Sequence, residues 1–155
     1  MTAQFRVSGN GNGRKTTSAL SVSVVENESG SQALAVSAEV AAAINVHSHW
    51  FFQLQDAIRK GSSEFSPETV ATDNACEFGT WLYGPLAREM DGSPIYAEIK
   101  ELHARFHHST AGILALALQG RKTEASSLIG PESEYRQLSG KLVHKLTELR
   151  KGGGS

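Results

Sequence analysis

The chain has 155 residues, 39% of them hydrophobic and 20% charged, with a formal net charge of −1. That length supports one modest domain with a hydrophobic core, and the near-neutral balance gives no electrostatic reason to expect nucleic acid as a partner. The single cysteine, Cys76, excludes an internal disulfide framework. No apolar run approaches the roughly eighteen residues of a membrane span, and Met1–Arg6 lacks a signal-peptide pattern. A cytoplasmic protein with no membrane partner is therefore expected, in the compartment where a lone thiol stays reduced.

Residues 1–35 are rich in Gly, Ser, Asn and Thr and read as a flexible leader or the remnant of a neighbouring segment. Within them, Ala19–Val25 alternates weakly, as a short strand would, without a convincing partner strand. From residue 36 the pattern becomes helical. Val36, Val40, Ala43, His47, Phe51, Leu54 and Ile58 recur at steps of three and four along one face, up to a stop at Gly61. Ser62–Pro67 is predicted as a loop, followed by a short helix through Cys76 to about Tyr83, capped by Thr72 or Asp73 and broken at Gly84-Pro85. Ser93-Pro94 starts a third helix that runs to about Gln119 with a stripe of Ile95, Ile99, Leu102, Phe106, Ile113 and Leu116, and Gly120 ends it. A fourth spans about 122–150, kinked or split by Gly130-Pro131. Lys141, Lys145, Arg150 and Lys151 near its end suit a solvated helix C-terminus. The expected fold is all-α: a four-helix bundle over 36–151 with a short extra helix carrying the Cys, then a loose tail at 152–155.

The chemistry-bearing residues lie on these helices. His103 and His107 are four apart and share a face, a common way for a helix to offer two imidazoles to one metal, or else a surface pair. His47 lies on the apolar stripe of the first helix, where a lone histidine is ordinarily a hydrogen-bonded core residue. His49 and His108 fall off the relevant faces, and His144 is a boundary or solvent residue. Cys76 taken alone is a small buried hydrophobe. It is followed, however, by Gly79 inside a helix, a costly choice that makes sense where another backbone or ring comes close. Together His47, Cys76, His103 and His107 make a tetrahedral nitrogen-and-thiolate set suited to zinc. Four protein ligands leave no position for a substrate water, which argues for a structural or regulatory site over an enzyme.

The segments Val46-His47-Ser48-His49-Trp50-Phe51, Cys76-Glu77-Phe78-Gly79-Thr80-Trp81-Leu82-Tyr83 and Leu102-His103-Ala104-Arg105-Phe106-His107 resemble the chemoreceptor zinc-binding (CZB) domain of bacterial chemoreceptors and some diguanylate cyclases. The specific part is the Cys-x-Phe-Gly-x-Trp block with the later His-x-x-x-His, and the resemblance covers about residues 38–150. It implies a four-helix bundle with a Cys-plus-three-His zinc site at His47, Cys76, His103 and His107, a homodimer, and control of an attached or partner signalling domain of the chemoreceptor or diguanylate cyclase type, in chemotaxis or cyclic-di-GMP control. The input would be zinc occupancy, or oxidation of a zinc-bound Cys76 thiolate by hypochlorous acid. Asp73 and Glu101 are the favoured acceptors for histidine N–H groups; Glu77 and Glu98 read as solvated charges.

Two other classes compete. A metalloprotease helix needs Glu directly after its first His, where this chain has Ala104, and a di-iron bundle needs inward Glu-x-x-His pairs that are missing here. A metal-free or structural helical dimerisation module would tolerate loss of Cys76 and of any histidine.

Overall fold

A computed structural model describes residues 17–152 of the chain, and the side chains of residues 30, 31 and 35–152. Much of the expected leader, and all of the expected tail except Gly152, lies outside the described residues. The chain divides into two units, Met1–Gln32 and Ala33–Ser155, and the buried core lies in the second. Among the described residues all regular structure is helical: α1 (Thr17–Lys60), α2 (Pro67–Ala71), α3 (Glu77–Tyr83), α4 (Pro85–Met90), α5 (Pro94–Leu118), α6 (Lys122–Ser127) and α7 (Glu134–Gly152). None of these helices is long and apolar enough to cross a membrane.

The stripe on α1 is buried as its spacing predicts, with Val40, Ala43, His47, Leu54 and Ile58 in the core. The helical backbone already begins at Thr17, so Ala19–Val25 is helix and not strand. α5 starts at Pro94, whose locked φ suits the first helical position, and it ends in a Schellman motif. There the N–H of Gly120 (φ +76°) donates to Ala117 and that of Arg121 to Leu116, at 3.1 and 3.0 Å. The expected 122–150 helix is two pieces, α6 and α7, separated at Gly130-Pro131.

Between α1 and α5 the structure departs from the single short helix expected. α2 and α4 flank α3, each with a proline at its first positions. The Ser66-Pro67 start of α2 follows the same rule as Ser93-Pro94: Ser66 Oγ accepts from the Thr69 N–H at 3.2 Å. Cys76 lies at the edge of α3 and not within it. The helix begins at Glu77, and Cys76 is the capping residue in place of Thr72 or Asp73.

These elements share one core. Phe106 of α5 packs on Tyr135 of α7, ring centroids 5.5 Å apart. Tyr96 of α5 donates its hydroxyl to the Leu82 carbonyl of α3 at 3.0 Å. Arg136 of α7 lies over the Phe51 ring of α1 at 3.9 Å.

α7 offers a paired test of this packing. Leu142 is fully buried, whereas a Cβ at the exposed Gly140 would meet no atom within 4 Å. Leu142→Ala should therefore destabilise the protein by about 2–5 kcal/mol. Gly140→Ala should stabilise it by about 0.5–1 kcal/mol. Urea unfolding followed by circular dichroism reads both, and shifts of the same sign would contradict this placement of α7.

Candidate metal centre

Three helices deliver the four residues singled out by spacing. α1 supplies His47, α5 supplies His103 and His107 one turn apart, and the start of α3 supplies Cys76. Their donor atoms all lie within 4.8 Å of one another. Zinc bonds of about 2.1 Å to nitrogen and 2.3 Å to sulfur would place tetrahedral donors roughly 3.5 Å apart. Cys76 Sγ and His103 Nε2 are already at 3.5 Å, and every other donor pair lies within 4.8 Å. His49, His108 and His144 are exposed and outside the cluster.

Main-chain carbonyls orient two of the rings. A carbonyl can only accept, so the contacts of His47 Nδ1 with the Ala43 carbonyl (2.6 Å) and of His107 Nδ1 with the Val70 carbonyl (2.7 Å) place the proton on Nδ1. Each leaves Nε2 with a bare lone pair. His107 Nε2 is buried with no hydrogen-bond partner at all. An orphaned acceptor costs about 1–3 kcal/mol unless something else partners it, and a cation held by the four clustered donors would do so. The Ala43 and Val70 carbonyls are acceptors that side-chain patterning does not reveal. Val70 belongs to α2, the helix that the Ser66-Pro67 start could have disclosed.

Cys76 is held by the turn that it caps. Its Sγ accepts the Gly79 N–H at 3.2 Å. Gly79 is required there because a Cβ would come within 1.9 Å of the Asp73 carbonyl oxygen. The suspicion that this glycine admits a close backbone is thus correct, and the backbone is that of Asp73. Phe78 walls the cluster, with its ring 5.7 Å from His47 and 5.0 Å from His103. Among the described residues, the carboxylate that approaches a ring of the cluster is that of Asp73, with Oδ2 3.8 Å from His103 Nδ1. Glu101, favoured for such a role from sequence, is instead a solvated partner of Arg105 at 3.9 Å, and Glu98 pairs with Lys145 at 2.8 Å. A cavity of about 210 Å³ between Ala42, Ala43, Val46 and His47 of α1 and Cys76 and Phe78 reaches the sulfur from solvent.

Burial dominates the electrostatics. It lowers His47 to about 4 and His103 to about 2, with mutual repulsion among the imidazoles adding to both. His107 is lowered for the same first reason, against the opposing pull of the Val70 carbonyl and Asp73. Burial also pushes the Cys76 thiol up, partly offset by the Gly79 N–H. At neutral pH the site thus presents three uncharged imidazoles with free lone pairs. A bound cation would shed the thiol proton and take the thiolate.

Gly79→Ala should destabilise the fold by on the order of 1–3 kcal/mol, because the Asp73 backbone must move; an unchanged melting temperature would contradict the close approach. Metal-free protein, prepared with a chelator, should also lose stability in acid. His47, His103 and His107 protonate near pH 6.5 when unfolded and at lower pH when folded, so the unfolded state holds more protons in between. Stability should fall as pH drops from about 6.5 through about 4, with His47 alone contributing about 3 kcal/mol of the loss. Urea titrations across that window check it, and a flat profile would contradict buried neutral rings.

The sequence model of the chemoreceptor zinc-binding domain family matches residues 47–114, a span that holds all four clustered residues. No curated protein and no solved structure gives a significant match to the chain. The family is one of regulatory domains found in chemoreceptor-type signalling proteins, not of enzymes, and its metal is zinc, which suits the donor set present here. With one thiol and three imidazoles converging in its core, the segment 47–114 is similar to the chemoreceptor zinc-binding domain family, whose model it matches.

Proposed function

We propose that residues 36–151 form a cytoplasmic zinc-sensing module in which His47, Cys76, His103 and His107 are the four ligands of one zinc ion. The observation that carries this reading is the buried convergence of their donor atoms within 4.8 Å, with the lone pair of His107 Nε2 left vacant. In the proposed architecture α1, α5 and α7 are three members of a four-helix bundle, and α2–α4 in series take the place of the fourth. Residues 1–35 form a leader towards a neighbouring segment and 152–155 a loose tail. The module works as a homodimer and controls an attached or partner signalling domain of the chemoreceptor or cyclase type.

Zinc, when bound, supplies a positive charge that ties thiolate and imidazoles together. The chain's own residues supply the response. His47 and His107 stay anchored on main-chain carbonyls. Cys76, in the lining of the cavity and at the first turn of a seven-residue helix, is the ligand whose loss disturbs structure most locally. Two inputs act on it. Gain or loss of zinc joins or frees α1, α3 and α5. Hypochlorous acid oxidises the sulfur: the thiolate attacks chlorine and hydroxide leaves, then water displaces chloride to give the sulfenic acid and a proton. Sulfur loses two electrons and chlorine gains them. The product no longer caps Gly79 through a thiolate, and α3 loosens at its N-terminus.

Elemental analysis of the protein and its variants tests the reading. About one zinc per chain is expected in wild type, a large fall in His47→Ala, His103→Ala and His107→Ala, and weaker retention in Cys76→Ala. Stepwise hypochlorous acid should then release zinc in proportion to loss of the Cys76 thiol. A wild type that neither carries zinc nor takes it up would leave these helices as a structural dimerisation bundle.

A further inference from the structure

The three imidazoles are not held alike. His47 and His107 donate to main-chain carbonyls at 2.6 and 2.7 Å. His103 is fully buried, turns Nε2 towards Cys76 Sγ at 3.5 Å, and has no hydrogen-bond partner at Nδ1. A histidine that gives Nε2 to a metal carries its proton on Nδ1, and that N–H needs an acceptor in a dry site. The acceptor in view is Asp73 Oδ2, 3.8 Å away, a short side-chain rotation from hydrogen-bonding distance. The same oxygen already accepts the hydroxyl of Tyr83, the last residue of α3. Tyr83 is 40% exposed, so its O–H could have turned to water; it turns inward to the carboxylate instead.

We infer that Asp73 and Tyr83 are positioning residues for the zinc site: Asp73 accepts the Nδ1–H of His103 when the ring binds metal, and Tyr83 holds Asp73 in place to do so. The inference rests on the zinc reading of the four residues. The relay runs from the exposed end of α3 to the most buried ligand, while Cys76 caps the other end of the same helix. α3 therefore carries one ligand directly and orients a second through Tyr83 and Asp73. Main-chain carbonyls at His47 and His107 allow no side-chain control; at His103 the orienting group is a side chain, and its substitution changes the affinity of the site.

Chelator competition on the full chain, with the spectrum of the cobalt-loaded protein as a second readout, tests this. Asp73→Ala should weaken zinc binding by about 10- to 100-fold and alter the cobalt ligand-field bands. Asp73→Asn, which keeps an oxygen acceptor without the charge, should recover part of the loss. Tyr83→Phe should cost severalfold in the wild-type background and nothing further in Asp73→Ala, because it acts only through the carboxylate. A merely structural role for either residue would give additive losses and an unchanged cobalt spectrum. Asp73→Ala within about twofold of a zinc-binding wild type would overturn the relay alone. A wild type that binds no zinc would overturn it together with the site reading. Should Asp73→Ala lose its helical signal, the isosteric Tyr83→Phe decides, and an affinity equal to wild type overturns the proposal.

Discussion

The structure depends on the burial of three imidazoles against one half-buried thiol. Removing these groups from water costs free energy unless each lone pair and each N–H finds a partner. Burial lowers all three histidines and raises the cysteine, so the pocket resists charge in every group that could carry it. Hydrogen bonds cover part of the cost at Nδ1 of His47 and His107. They do not cover Nδ1 of His103 or Nε2 of His107. A core that spends four positions on such groups, beside Leu and Phe that would fill the space without penalty, is consistent with selection for something other than stability.

That constraint accounts for the shape of the segment around Cys76. A thiol brought to the imidazoles from a long helix would have its direction set by that helix. Here it stands at the first turn of a seven-residue helix, where the cap geometry aims Sγ and the Gly79 N–H meets it. The turn closes only because the Asp73 carbonyl passes under a residue with no Cβ. Asp73 then serves twice, its backbone beneath Gly79 and its carboxylate between Tyr83 and His103. α2 is drawn in for a related reason, since the Val70 carbonyl accepts the His107 N–H. The stretch between α1 and α5 is thus divided into three short helices by what the site requires of residues 70, 73 and 76.

Much of this was legible in the sequence, and the limit has a physical form. Side-chain periodicity placed His47 on the buried face of α1 and put His103 and His107 together, because a helix converts spacing into direction. The Gly79 anomaly was legible as a close approach. What approaches was not: main-chain carbonyls such as those of Ala43, Val70 and Asp73 leave no residue-type signature. Glu101 shows the same limit from the other side. Its position on α5 suggested an acceptor, yet Arg105 one turn away keeps it at the surface. Cys76 was expected inside a helix, because thiol caps are uncommon beside Ser, Thr, Asp and Asn. α2 carries at Ser66-Pro67 the same start signal as α5 at Ser93-Pro94, but its five residues are too few to show a helical period.

The unequal support of the ligands bears on how such a site could report a change. Two imidazoles are tied to backbone of α1 and α2, which moves only if those helices move. The other two donors converge on α3: Cys76 caps its start and His103 is faced by the carboxylate that its last residue holds. Seven residues form a marginal helix in isolation, so the order of α3 depends on its contacts. A ligand set that is rigid on one side and mounted on a marginal element on the other has a definite mechanical consequence. α3 depends on these contacts for its order, whereas residues of α1, α5 and α7 lie together in one buried core. The cavity of about 210 Å³ is lined by Cys76, Glu77 and Phe78 at the start of that same helix together with Ala43 and His47 of α1, so the marginal element and the rigid one meet at the sulfur-bearing residue.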